Sequence, residues 1–167
     1  MAQKNALQER LIAERARASA IVYLTGRPDV TVKEDTEEIG VELLAFIRPK
    51  GRRGIRQFGV ALKGAWEGVT SARAKEVLRP TMRGLLRNGP FPFPVVLFFF
   101  TMQDDRARYA WVAEPIISPD GGAELRIHDE AKCLPLDERI ADGIVARIND
   151  WYDAYYARAG RLAASKV

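Results

Sequence analysis

The run from Pro94 to Phe100 is Pro-Val-Val-Leu-Phe-Phe-Phe, the most apolar stretch of the chain. It is far shorter than the roughly 20 apolar residues that a membrane-spanning helix requires. Valine and phenylalanine favour strands, so the run predicts a buried strand. A buried strand has to be covered by other elements, and the chain is therefore expected to pack helices against a central sheet.

Length and composition indicate one globular domain. A chain of 167 residues can bury one full core, and its 47% apolar and 29% charged residues exclude a mainly disordered protein. We assign residues 1–160 to this domain and expect residues 161–167 to be a frayed tail. The polar segment Met1–Arg10 does not resemble a signal peptide.

The chain contains only one cysteine and one histidine, which restricts the kinds of catalytic and metal-binding site that it can form. The single cysteine, Cys133, excludes an internal disulfide and a cysteine-based zinc site, and it is typical of the reducing cytoplasm. The single histidine, His128, removes most remaining metal clusters and Ser-His-Asp sites. Chemistry in this chain is therefore expected to use carboxylates and lysine.

Hydrophobic periodicity predicts the order of the elements. A first helix spans about residues 3–24, with Leu7, Leu11, Ala18 and Val22 as its apolar face. A second helix spans residues 71–87, with Ser71 as N-cap and Pro80 as a kink or break. The predicted strands are 30–33, 41–47, 55–63, 95–101, 109–112 and 124–128, and a last helix starts at Asp137. This is an α/β (α+β) fold with a central mixed sheet and flanking helices.

The second and third strands form a ribbon that brings an acid toward a lysine. Side chains alternate across a strand, so Glu42 is expected to share a face with Leu44 and Phe46. Lys63 shares a face with Gly59 and Ala61 in the same way, and antiparallel pairing can bring the two sets together. A plain cross-strand ion pair is the alternative interpretation of Glu42 and Lys63.

The order of several short motifs resembles the PD-(D/E)XK, or restriction-endonuclease-like, nuclease superfamily, and in particular an uncharacterised bacterial group within it. The similarity spans roughly residues 9–115 and is carried by Glu9-Arg10-Leu11, Glu38-Ile39-Gly40-Val41-Glu42-Leu43, Phe58-Gly59-Val60-Ala61-Leu62-Lys63-Gly64, Pro94-Val95-Val96-Leu97 and Tyr109-Ala110-Trp111. The resemblance implies an αβββαββ core followed by a C-terminal helix.

The resemblance also implies a metal-dependent nuclease site. Glu42 then takes the first acidic position, as a catalytic residue and ligand of Mg²⁺ or Mn²⁺, and Lys63 takes the catalytic lysine position. Ala61 stands where the superfamily has an acid or glutamine, and it offers no side-chain oxygen. Another carboxylate would have to complete the metal site.

Five glutamates are candidates for that missing ligand: Glu38 and Glu37 in the acidic loop before the ribbon, Glu67 just beyond Lys63, and Glu9 and Glu14 on the first helix. Helical geometry places Glu14 at the margin of the predicted apolar face and Glu9 nearly opposite it. Glu14 is therefore expected to reach the sheet more easily than Glu9.

Basic residues form two groups that flank this site in sequence. Arg52, Arg53 and Arg56 lie in the hairpin of the ribbon, and Lys75, Arg79, Arg83 and Arg87 recur every four residues along the second helix. Such groups can neutralise a nucleic-acid backbone, although a solvated helix face is the alternative for the second group.

Two functions follow from the resemblance. The first is metal-dependent phosphodiester hydrolysis of DNA, in restriction or phage defence. The second is a catalytically degenerate module that binds nucleic acid or assembles with proteins. The expected partner is nucleic acid, preferably DNA, and not a membrane; a homodimer and a place in a larger defence complex both remain open.

Overall fold

The computed structural model describes residues 2–34, 40–52 and 54–164. Its elements follow the order α1 (Ala2–Thr25), β1 (Val30–Glu34), β2 (Leu43–Ile47), β3 (Arg56–Ala65), α2 (Ser71–Arg87), β4 (Val95–Thr101), β5 (Arg106–Ile117), β6 (Ala123–Ile127), β7 (Leu134–Pro135) and α3 (Glu138–Ala164). The predicted fold class is confirmed, and so is the order of an αβββαββ core before a C-terminal helix. The two-residue β7 has no counterpart in the prediction.

The strands form one mixed sheet in the order β1-β2-β3-β4-β5-β6, with β7 paired to β5. β3 and β4 are parallel because α2 carries the chain from one to the other, and the remaining pairs are antiparallel. All seven residues of β4 are buried. The strand predicted from the most apolar run therefore lies inside the sheet, with helices on both faces.

Each face of the sheet has its own hydrophobic core. α1 and α3 cover one face, where residues such as Phe58, Phe98 and Ile148 are buried. α2 covers the opposite face, where residues such as Leu78 and Phe99 are buried. No helix in the described ranges is long and apolar enough to cross a membrane.

The prediction of which apolar face of α1 is buried is wrong. Leu7, Leu11 and Val22 are exposed by 59%, 61% and 69%, and Ala18 is exposed as well. The buried residues are Ala16, Ala20 and Leu24, with Ile12 partly buried in front of them. α1 carries apolar residues on two opposite sides, and the side with the small alanines is the one that approaches the sheet closely.

The predicted buried side of α2 is confirmed in its main residues. Leu78, Met82 and Leu85 are buried, and Pro80 lies on the exposed side of one continuous helix. Its missing N–H leaves one helical hydrogen bond unmade at a solvent-facing position. Thr70, not Ser71, is the N-cap, and its side chain accepts a hydrogen bond from the Arg73 N–H.

Candidate functional site

The candidate site lies at the start of β2, where the pairing of β2 with β3 stops and β3 continues with β4 as its only described partner strand. The last residue pair between β2 and β3 is Leu43 with Val60, whereas β3 runs on to Ala65. Beyond that point, Glu42 Oε2 accepts a hydrogen bond of 2.8 Å from the Leu62 N–H. The Glu42 carboxylate thus takes the place that a backbone carbonyl of β2 would hold, and it satisfies a donor at the edge of β3.

Glu42 does not follow the alternation that the sequence suggested. β2 begins only at Leu43, so Glu42 precedes the regular strand. Its carboxylate lies beside α1, and together with Glu9, Arg17 and Lys63 it borders a cleft of about 520 Å³ between α1 and the end of β3. The structure therefore brings the predicted acid and the predicted lysine to one cleft.

Lys63 reaches this cleft from the other side of the sheet edge. Leu62 belongs to the core under α1 and Ala61 to the core under α2, so the alternation of β3 groups Lys63 with Ala61. Among the described residues, no ion pair within 4.0 Å joins Lys63 to Glu42. The cross-strand ion pair that was the alternative interpretation is therefore not observed. Glu42 and Lys63 border the same cleft without forming an ion pair.

Partial desolvation of its carboxylate is the main influence on the pKa of Glu42, although the residue as a whole is exposed. This desolvation raises the pKa of the Glu42 carboxyl above the ordinary glutamate value, while the hydrogen bond from Leu62 and the positive charges of Arg17 and Lys63 act in the opposite direction.

The glutamates predicted to bind Mg²⁺ or Mn²⁺ differ in where they lie relative to the cleft. Glu9 borders the cleft beside Glu42, whereas Glu14 does not; it forms an ion pair of 3.5 Å with Arg17, so the expected preference for Glu14 over Glu9 is wrong. No group of three or more acidic, cysteine or histidine side chains with metal-binding geometry occurs in the described part of the chain. Outside the described residues lie Glu37 and Glu38.

The hairpin arginines Arg52 and Arg56 were predicted to bind nucleic acid, but in the structure they form contacts within the protein. Arg56 is 2% exposed, and its guanidinium donates to the Asn149 carbonyl at 2.8 Å and to Asp153 at 2.5 Å. Arg52 donates to the other oxygen of Asp153, also at 2.5 Å. One carboxylate of α3 therefore pairs with both arginines and fixes the hairpin to the helix. Arg53 lies outside the described residues.

The second predicted basic group lies on the outer face of α2, and we call it the α2 ridge: Lys75, Arg79, Arg83 and Arg87. Its three arginines are exposed, and no carboxylate of a described residue lies within 4.0 Å of their guanidinium groups. Lys75 pairs with Glu130. α2 carries five basic side chains and one acidic one. That surplus of four positive charges equals the formal net charge of the whole chain.

Arg17 is the cleft residue that the sequence analysis missed. Besides lining the cleft, it lies 3.5 Å from Glu14 and 3.7 Å from Glu34, so it links α1 to the end of β1. Its spacing of eight residues from Glu9 places both on nearby sides of α1. That spacing could have identified Arg17 once Glu9 was a candidate.

Searches against models of protein families, curated proteins and solved structures found no match in any of the three.

Proposed function

We propose that this protein binds nucleic acid, preferably DNA, through contacts between the α2 ridge and the phosphate backbone. The observation that supports this most is the distribution of charge. The excess positive charge of the whole chain is matched by α2 alone, while the rest of the chain is balanced. A concentrated basic face on a balanced protein favours binding to an extended anion.

The dimensions of the α2 ridge suit a backbone. Lys75 and Arg87 are twelve residues apart, which corresponds to about 18 Å along a helix. One strand of duplex DNA presents a phosphate about every 3.4 Å along the helix axis, so the ridge spans several phosphates. Its arginines donate in the planar geometry that phosphate oxygens accept.

The exposed face of α2 favours binding without sequence preference. α2 lacks asparagine and glutamine, which pair with adenine in the major groove; its arginines could pair with guanine, and we expect phosphates to occupy them instead. Contacts to phosphate position a protein on nucleic acid but carry no base information. We therefore expect similar affinities for duplexes of unrelated sequence.

The cleft beside α1, and not the α2 ridge, separates the two functions that the superfamily resemblance implies, because both functions need a basic surface for DNA. The described residues place no group of three or more acidic, cysteine or histidine side chains around Glu42, and this supports the second function, a catalytically degenerate binding module. Hydrolysis of DNA in restriction or phage defence stays a prediction of the resemblance.

The test of binding is the affinity for a fluorescein-labelled duplex, measured by anisotropy over a series of salt concentrations. The double variant Arg79→Glu with Arg83→Glu should bind at least about tenfold more weakly and show a salt slope smaller by about two, because two phosphate contacts are lost. The control is Arg106→Glu with Arg139→Glu, which changes the net charge equally at exposed positions outside α2. Equal losses in both variants, or no loss in either, would reject the ridge.

The test of hydrolysis uses the same duplex with Mn²⁺. The degenerate interpretation expects no cleavage by the wild-type protein and no rise in melting temperature on adding Mn²⁺. If the wild-type protein cleaves the duplex, and Lys63→Ala abolishes cleavage without changing the affinity for DNA, the degenerate interpretation is overturned and the nuclease function is supported.

A further inference from the structure

α1 exposes a row of apolar side chains on the side that faces away from the sheet. The row consists of Leu7, Leu11, Ala18 and Val22, and we call it the outer row. Its three large residues are exposed by 59%, 61% and 69%. Single exposed apolar residues are normal in globular proteins, but an aligned row of them marks an interaction surface.

The first turns of α1 also extend beyond the body of the protein. Every residue from Asn5 to Leu11 is exposed, and partial burial begins only at Ile12. These turns continue a helix that is packed from Ile12 onward, so they can remain helical by propagation. Their apolar side chains are nevertheless exposed, and a second surface could bury them.

The spacing of the outer row indicates that the partner is a second copy of α1. The row is symmetric about the midpoint between Glu14 and Arg15. A two-fold axis at that midpoint places Leu7 of one copy opposite Val22 of the other, and Leu11 opposite Ala18. We propose that this chain forms a dimer in which two α1 helices pack antiparallel through their outer rows.

Side-chain size favours this orientation over the parallel one. In the antiparallel pair each leucine meets a smaller residue, so the helices can remain equidistant along the row. In a parallel pair Leu11 would meet Leu11 while Ala18 met Ala18, which leaves a gap at the alanines. Antiparallel helices also bring opposite ends of their macrodipoles together.

The charged residues at the centre of the row are compatible with the dimer. Glu14 and Arg15 lie on either side of the row at its midpoint, so the centre of the interface carries no net charge. Both side chains are about half exposed, and their ion pairs, with Arg17 and Asp105, lie at the surface. Such pairs contribute little to stability and can rearrange.

The dimer is expected to be weak and to leave the α2 ridge free. Two helix faces of this length bury on the order of 1,000 Å² in total, the lower end for a specific interface, and we expect a micromolar dissociation constant. α1 and α2 cover opposite faces of the sheet, so the two α2 helices lie on the far sides of the dimer.

Sedimentation velocity without nucleic acid tests the dimer. The wild-type protein should sediment as a monomer at low concentration and as a dimer at about 100 µM. Leu11→Glu should remain monomeric throughout. The matched control is Ile127→Glu on β6, a residue that is 51% exposed and far from α1 in the fold. If the wild-type protein is monomeric at every concentration, the proposal is overturned, even if the outer row binds some other protein. A dimer that persists in Leu11→Glu also overturns it.

Disulfide cross-linking in a Cys133→Ser background tests the orientation. Leu7→Cys and Val22→Cys, mixed as two proteins, should form a mixed disulfide. Leu7→Cys alone should not cross-link, because the axis separates its two copies by about 22 Å along the helix. Cross-linking of Leu7→Cys with itself, or failure of the mixed pair in a protein that sediments as a dimer, overturns the antiparallel arrangement. None of these outcomes depends on nucleic-acid binding.

Discussion

α1 and α2 cover opposite faces of one sheet but distribute their polar and apolar residues differently. α2 has one apolar side, with Leu78, Met82 and Leu85 buried, and a basic side in solvent. α1 is apolar on two sides: Ala16 and Ala20 pack on the sheet while Leu7 and Leu11 face solvent. The comparison shows that periodicity identifies the packed face of a helix only when one face is apolar.

The largest expected effect is the difference between two single variants, one that truncates a buried leucine of α2 and one that truncates an exposed leucine of α1. Leu78→Ala should lower the free energy of unfolding by about 3 kcal/mol, because Leu78 is fully buried and the substitution leaves a cavity. Leu11→Ala should change it by less than about 0.5 kcal/mol. Urea denaturation at a low protein concentration, where dimers do not contribute, measures both. Similar losses would mean that the outer row is packed in solution.

The second expected effect tests how closely α1 approaches the sheet. A Cβ atom added at Gly64 on β3 would overlap the Ile12 Cγ2 and lie 3.1 Å from the Ile12 carbonyl oxygen. Gly64→Ala should therefore lower the free energy of unfolding by about 2 kcal/mol. A neutral effect in thermal or urea denaturation would indicate that α1 packs less closely than described.

The same substitution in α2 should have the opposite sign. Gly84 lies inside this helix, and no atom lies within 4 Å of the place that its Cβ would occupy. Because alanine favours a helix over glycine, Gly84→Ala should raise the free energy of unfolding by up to about 1 kcal/mol. A loss of stability would show that α2 packs on the sheet more tightly at this position than its contacts indicate.

The smallest expected effect is a pH dependence at the cleft beside α1. Partial desolvation of its carboxylate raises the pKa of Glu42, so protonation of this group stabilises the folded chain. That contribution is fully present below the ordinary glutamate value of 4.5 and is lost as the pH rises through the raised pKa. Relative to Glu42→Gln, the wild-type protein should therefore lose stability as the pH rises through this window.

Urea denaturation over a series of pH values measures the difference between wild type and Glu42→Gln. Leu78→Ala is the control, since it removes no titrating group. If the wild-type protein instead gains stability over the variant as the pH rises, the pKa of Glu42 is lowered in the folded protein and the carboxylate is ionised in the cleft.

Strong local signals allowed much of the fold to be predicted. The apolar run gave β4 with its bounds at 95–101, and the amphipathic pattern gave α2 at 71–87. The candidate site was predicted less well. Glu42 and Lys63 do border one cleft, but the point at which β2 begins decides where Glu42 lies, and strand pairing rather than residue preference sets that point.

The sequence by itself determined the order of helices and strands and the basic side of α2, because each depends on residues close together along the chain. Only the tertiary structure decided which apolar side of α1 is buried and which arginines remain free. Asp153 pairs with Arg56 from 97 residues away, and no local pattern records a contact of that separation. Burial and pairing between distant segments therefore decide which of the predicted site residues can meet a ligand.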